Sequence, residues 1–455
     1  MNFNKNIKLF ILIYILALFS VTIFSGRIGI HDAGEYISIA KAIAGIQNVD
    51  LFSAHSIIYP IFLAIFIKIF PSMITIKIMS ALWILATSLL LRKFWGNKAL
   101  ILFALSPVVW FTTIEVSPIL PVAFFFTLSY YYIDKWKTDK KLSHLIYGSF
   151  FSGFCVALWG GALIIPIILF LVYFLKEKTS NSIIFFILNA VGYLPRLISD
   201  QVIFGYFLQS TIRYFGVNVT MLMGLGVNKI QEPTLAFLLE ILFLISPLLI
   251  MIYLKYKKQY KREIWIISIF LIFFYFRTGR PIGLKYFLVI APLVMIVLSK
   301  ILTDKQILIA GSLGILLTVL IILPAHFNPL ADVEKRYRGD LEAIHEELGY
   351  DTIVAGPHQS LVYALVLWKN EPKIIWYEDY KMSQENEEVY SLYEYQTPKT
   401  KLFTRKVVTF KGGLKSPEKK EYSNLPIVLY KDLEIKEPGY KLEKCYTNLC
   451  VYTNS

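Results

Sequence analysis

The sequence predicts a polytopic α-helical membrane protein with about eleven transmembrane helices and a C-terminal α/β domain. Three observations carry that prediction. Of 455 residues, 56% are hydrophobic and 17% charged, with a mean hydropathy of +0.57, whereas soluble domains carry about 25% charge. The apolar residues come in long runs, such as 7–24 and 306–323, and runs of that length cross a bilayer core as helices. The charge is also lopsided. Residues 1–323 hold 28 Lys and Arg against 12 Asp and Glu, while 324–455 hold 18 against 20. The net charge of +14 therefore belongs to the membrane part. There it sets topology and marks no nucleic-acid partner.

Lys5 and Lys8 precede the first span, so the N-terminus is expected in the cytoplasm. Residues 26–72 then form a first outer loop. Its apolar segment 56–70 is short for a span and stops at Pro71, so it reads as a juxtamembrane or re-entrant helix. Spans follow near 73–91, 99–114, 118–133, 143–159, 161–175, 182–198, 234–254, 264–276, 284–299 and 306–323. With 56–70 left out of the count, the basic clusters fall inside: Arg92 with Lys93, Lys135 to Lys141, Lys176 with Lys178, and Lys300 with Lys305. The expectation is a transmembrane domain over 1–323 and an extracytoplasmic domain over 324–455 in a multi-pass protein of the cell membrane. Within 324–455, strands at 352–356 and 374–377 flank a helix at 359–368 as a βαβ unit, with further short strands near 407–410 and 426–429. Cys445 and Cys450 lie between β-like runs on the oxidising side and are expected to form a disulfide. Cys155 sits in a span and reads as a small core residue.

Acidic residues are scarce before position 324, and each needs a reason. Asp32 and Glu35 occur in His31-Asp32-Ala33-Gly34-Glu35-Tyr36, just beyond the first span. Tyr36, Ile39, Ala40, Ile43 and Ala44 recur at helical spacing, which places both carboxylates at the start of an interfacial amphipathic helix. A carboxylate there can take the proton of a hydroxyl nucleophile; Asp32 is equally a good N-cap for that helix. Glu115 ends a span at the outer interface. Arg277, Arg280 and Lys285 flank one short outer loop, where positive charge is disfavoured. A phosphate-bearing ligand explains them, and so does snorkelling to lipid headgroups. His55 reads as an interfacial polar residue. The sequence contains no phosphate-binding Walker loop, zinc-ligand spacing or nucleophile elbow.

These motifs form an ordered set. Asp32-x-x-x-Tyr36-x-x-x-Ala40, closing at Gly45, resembles the first outer loop of the GT-C glycosyltransferases, nearest the protein O-mannosyltransferase (glycosyltransferase family 39) and lipid A aminoarabinose transferase type. The stretch 53–60, ending in Tyr59-Pro60, resembles the second half of that loop, and Leu105-Ser106-Pro107 through Glu115 the next outer corner. Lys285-Tyr286-Phe287 with Pro292 resembles the family's Arg-Tyr-x-x-Pro stretch. Ala33 stands where many members carry a second acid, and Lys285 where they carry Arg.

The resemblance implies a GT-C-like fold and an inverting transfer of a sugar from a polyprenyl (dolichyl) phosphate donor, such as a mannosyl carrier. The acceptor is a hydroxyl of a protein, lipid or glycan at the outer face. It implies Asp32 as base, with Glu35 as a second catalytic candidate. His55, Tyr59, Glu115, Arg277, Arg280, Lys285 and Tyr286 are implied around the donor. No cofactor is implied, and a metal ion is left open. The alternatives are an oligosaccharyltransferase-like enzyme and a non-enzymatic polytopic transporter, for which Glu240 within a span is the residue to watch.

Overall fold

The computed structural model describes residues 3–26, 31–46, 55–212, 214–215, 260–278, 284–328, 332–355, 368, 373–376, 389–392, 405–408, 425–431 and 439–454. Its helices, in chain order, are α1 (Phe3–Phe24), α2 (His31–Ile43), α3 (Ile58–Ile67), α4 (Met73–Trp95), α5 (Asn97–Ala104), α6 (Pro107–Thr112), α7 (Ile119–Asp139) and α8 (Leu142–Leu158). Then come α9 (Ile164–Leu169), α10 (Thr179–Phe204), α11 (Lys261–Thr278), α12 (Leu284–Phe287), α13 (Ala291–Ile301), α14 (Asp304–Leu317), α15 (Leu323–His326) and α16 (Val333–Leu348). The chain divides into two compact units. The first comprises Met1–Ser25, Lys77–Arg196 and Gln231–Phe327; the second comprises Gly26–Ile76, Leu197–Ile230 and Asn328–Ser455.

The first unit is wholly helical among the described residues. Ile7 of α1, Leu100 and Leu102 of α5 and Ile307 of α14 share one buried cluster. Two glycines bring α8 and α10 to backbone contact, because a Cβ on Gly153 would collide with the Asn189 carbonyl and one on Gly192 with that of Phe150. Such small-residue contacts are how helices associate where hydrocarbon removes the hydrophobic drive. Hydroxyls mostly return to their own helix. Thr112, Thr127 and Ser149 donate to the carbonyls four residues earlier at 2.9, 2.7 and 2.7 Å.

Several expected spans are interrupted. The run 99–114 is two helices, α5 and α6, with the break at Ser106-Pro107. Pro107 has no N–H and starts α6 at its first turn, where none is needed. The Trp110 indole N–H takes up the Ala104 carbonyl at 2.9 Å, which satisfies one group freed by the break. The run 161–175 is a 3-10 turn (Gly160–Leu163), α9 and a π turn (Phe170–Phe174), and 284–299 is α12 followed by α13. The expected span 234–254 lies outside the described residues. The segment expected to be a short non-spanning helix is α3, only 10 residues long. Among the described residues, four stretches are long and apolar enough to cross a bilayer: Asn6–Phe24, Met73–Trp95, Thr179–Ile203 and Asp304–His326. The chain is a multi-pass membrane protein.

The second unit is mixed α/β. Strands β1 (Thr352–Ala355), β2 (Lys373–Trp376), β5 (Ile427–Tyr430), β6 (Tyr440–Cys445) and β7 (Leu449–Asn454) form one sheet in the order β2-β1-β5-β7-β6. β3 (Val389–Leu392) and β4 (Arg405–Val408) pair separately and antiparallel. β1 runs parallel to β2, with Thr352 opposite Lys373 and Ala355 opposite Trp376, and also parallel to β5. The βαβ strands expected from the sequence thus pair as parallel neighbours. The helix expected between them lies outside the described residues apart from Trp368. Helix α16 is capped by Asp332, whose carboxylate accepts from the Lys335 N–H at 3.1 Å, and it ends at Gly349 in the left-handed region (φ 61°). Its Tyr337 ring lies 5.5 Å from that of Tyr430, and Asp340 accepts from the N–H groups of Asn448 and Leu449. Cys445 and Cys450 face each other across β6 and β7 and are joined as a disulfide.

Candidate functional site

Asp32 falls in the first turn of α2; its side chain lies outside the described residues. Glu35 follows one turn later and is half-buried, while Tyr36, Ile37, Ile39, Ala40 and Lys41 are all buried. The interfacial amphipathic helix expected over 36–44 is therefore a covered one. Small residues make that possible: Ala33, Ser38 and Ala40 let neighbours approach α2 on faces that an interfacial helix keeps wet.

Tyr36 is the hub of a cluster at the start of the loop. Its ring meets the His55 imidazole at 5.3 Å and the Tyr59 ring at 5.4 Å, both edge to face. That stacking geometry is the favourable one for π systems. His55 Nδ1 lies 2.9 Å from Glu35 Oε2. Ser56 sets the entry to α3, since its hydroxyl accepts from the Ile58 N–H at 3.2 Å and so points Tyr59 back at α2. Glu35, His55 and Tyr59 are thus brought together within the second unit. A carboxylate against an imidazole nitrogen holds the ring in one orientation.

The remaining candidates lie in the first unit. Tyr286, in α12, stacks on Trp159 at 5.5 Å with only 12° between the planes. Lys285 Nζ lies 5.3 Å from the Tyr286 ring centre. Gly161 closes against the Trp159 ring, where a Cβ would collide. The result is a layered cation–aromatic stack that keeps the lysine ammonium beside a rigid face. Glu115 is half-buried, and its carbonyl accepts the Ser80 hydroxyl at 3.1 Å. Arg277 belongs to the last turn of α11, with its side chain outside the described residues, and Arg280 lies outside them altogether. Among the described residues, no three His, Cys, Asp or Glu side chains are grouped to hold a metal ion.

Sequence reasoning missed three residues. Trp159 carries no signal of its own, because its stacking partner comes from a distant helix. Lys77 donates to the carbonyls of Ile23 and Ser25 at 3.3 and 2.5 Å, where a cation suits the C-terminal end of α1. Lys41 is the sole lysine in α2 and is completely buried. Its one visible signal is a charge set among apolar residues.

Broken membrane helices, a covered loop helix bearing two acids and a sheet-containing unit are the parts of a fold that solved proteins share. The chain resembles particular solved structures in turn. ArnT from Cupriavidus metallidurans, crystallised with undecaprenyl phosphate, is similar over 100% of this chain and 99% of its own, with a TM-score of 0.57 and 8% identity. At that identity the likeness establishes the fold. An oligosaccharyltransferase from Archaeoglobus fulgidus, in complex with zinc and sulfate, matches 80% of this chain and 62% of its own at a TM-score of 0.43 and 14% identity, too weak to argue from. No family model matches the chain, and no curated protein does.

Proposed function

We propose that this chain is a membrane glycosyltransferase that moves a sugar from a polyprenyl phosphate to an acceptor hydroxyl at the outer membrane face, with inversion. The observation that carries this reading is a helix bearing Asp32 in its first turn and Glu35 against His55, in the fold that ArnT has with undecaprenyl phosphate bound. The cytoplasmic N-terminus, the membrane domain 1–323 and the outer domain 324–455 belong to the same reading.

Asp32 takes the proton from the acceptor hydroxyl. The freed oxygen attacks the anomeric carbon from the face opposite the phosphate, and the carbon–oxygen bond to phosphate breaks with its electron pair leaving on the phosphate. Arg277, Arg280 and Lys285 receive that growing negative charge, where fixed cations act most strongly in the transition state. Glu35 keeps His55 oriented, and Tyr59, Glu115 and Tyr286 are assigned to binding the donor. The lipid chain of such a donor needs a membrane groove, which suits a multi-pass fold.

The test is a transfer assay on the reconstituted protein with a panel of undecaprenyl-phosphate-linked sugars. Asp32→Asn keeps the shape of the side chain and lowers turnover by about 10²-fold or more, with donor binding retained. Arg280→Ala weakens donor binding instead. Near-normal transfer by Asp32→Asn removes the base assignment.

A further inference from the structure

Lys41 is among the largest completely buried side chains of the protein, at 0% exposure. A buried ammonium is costly unless something compensates it. Its Nζ lies 4.2 Å from the centre of the Trp368 ring, within cation–π range. Trp368 falls between β1 and β2 in the chain, so the loop helix α2 is gripped by the same sequence that supplies the sheet. A second contact repeats this at the start of the loop. Gly26 presses on the side chain of Asp332, the N-cap of α16, so closely that a Cβ would collide with the carboxylate. All four residues belong to the second unit. A helix of 13 residues held at Lys41 cannot rotate freely about its axis, and its rotation decides where Asp32 and Glu35 point.

We propose that the C-terminal residues hold the α2 helix in its working orientation through the Lys41–Trp368 contact, which makes both side chains positioning residues for Asp32 and Glu35. The roles of those two acids rest on the function proposed above. The contact itself does not, and it is tested without any transfer reaction.

The reporter is His55, whose ring is fixed by Glu35 on the same helix. Diethyl pyrocarbonate modification of the full-length protein is followed at each histidine by mass spectrometry, with His144 in the first unit as internal control. Lys41→Met and Trp368→Ala each speed His55 modification by about tenfold, the scale of a desolvated cation–π contact. The double substitution is no faster than either single one, because the contact can be lost only once. Lys41→Arg keeps the cation and stays near the parent rate. His144 does not change. Additive effects, or single substitutions that leave His55 at the parent rate, overturn the inference. Where Lys41→Met does not accumulate, Trp368→Phe and Trp368→Leu carry the same test: the ring-bearing variant stays closer to the parent, and equal rates for the two overturn the inference. Transfer from an undecaprenyl-phosphate-linked sugar is measured in parallel. Coupled labelling in a parent that transfers no sugar removes the function and leaves the inference, while normal transfer with uncoupled labelling removes the inference alone.

Discussion

In the first unit, Thr22, Ser88, Thr112, Thr127, Ser149 and Thr318 each give their hydroxyl to a carbonyl four residues earlier in the same helix. In the second unit the polar groups reach across elements instead. Asp340 of α16 takes the N–H groups of Asn448 and Leu449, Tyr350 donates to Glu443, and Lys444 and Tyr446 both reach Glu347. The difference follows from the surroundings. A hydroxyl bonded to its own helix leaves the outer surface apolar, which hydrocarbon demands. A cross-element pair of charged groups needs water at its rim. The first unit keeps many hydroxyls on their own helices and adds a few bonds between helices, such as Ser129 to the Gly148 carbonyl and Tyr130 to Glu263, whereas in the second unit the bonds named here tie helix to sheet.

The largest expected effect is in the packed unit. Gly153→Val places a side chain against the backbone carbonyl of Asn189, and neither backbone can retreat. We expect a loss of about 3 kcal/mol or more, read as a fall in the thermal midpoint of the purified protein. An unchanged midpoint would break the contrast between the units. Next is the Cys445–Cys450 link, which closes a loop of sequence separation 5. Cys450→Ser should cost about 2 kcal/mol by chain entropy, and reductant should give the parent the same loss. Asp340→Ala follows, because it leaves two backbone N–H groups without their acceptor. The expected cost is about 1–2 kcal/mol, with Asp340→Asn losing less.

The smallest effect is a pH effect. Hydrogen bonds from Lys444 and then Tyr446 hold the Glu347 carboxyl below its ordinary value of 4.5. A carboxyl depressed in the folded state contributes stability that is full above its unfolded value and disappears as pH falls through the folded value. Glu347→Gln should therefore flatten the acid limb of the stability curve below about pH 4.5 and leave neutral stability less changed. Strong salt should erase the difference, since the pair is exposed. In the first unit Lys137 and Lys140 lower Glu177 in the same sense, so Glu177→Gln sharpens the comparison by asking whether that unit shows the same limb.

How much of this was legible varies with the range of the interaction. Long apolar runs announce helices, and the parallel pairing of β1 with β2 follows from two strand-like stretches with a connection of the right length. The break at Ser106-Pro107 was written in the sequence too, but an average over 18 residues conceals one proline inside a hydrophobic run. Burial of α2 was not legible. Periodicity shows which residues are apolar, and it cannot show that Lys41 would meet an aromatic ring from the far end of the chain. Glu35 and His55 were each singled out, yet their pairing depends on how Tyr36 and Tyr59 stack, which no spacing encodes. Trp159 escaped for the same reason: its ring matters through Tyr286, and the two meet only after α8 and α12 have packed.

The position of β7 carries one more consequence. It lies between β5 and β6 inside the sheet, although its residues are the last of the seven strands to be made. A ribosome delivers α2 early and β7 late. Because β6 meets the sheet through β7, the sheet cannot close until Leu449–Asn454 have emerged and paired with β5. A chain cut short before them keeps α2 and Trp368 but leaves β5 without its antiparallel neighbour. Closure of this sheet is thus a late event in synthesis, well after the helices of the first unit have been made.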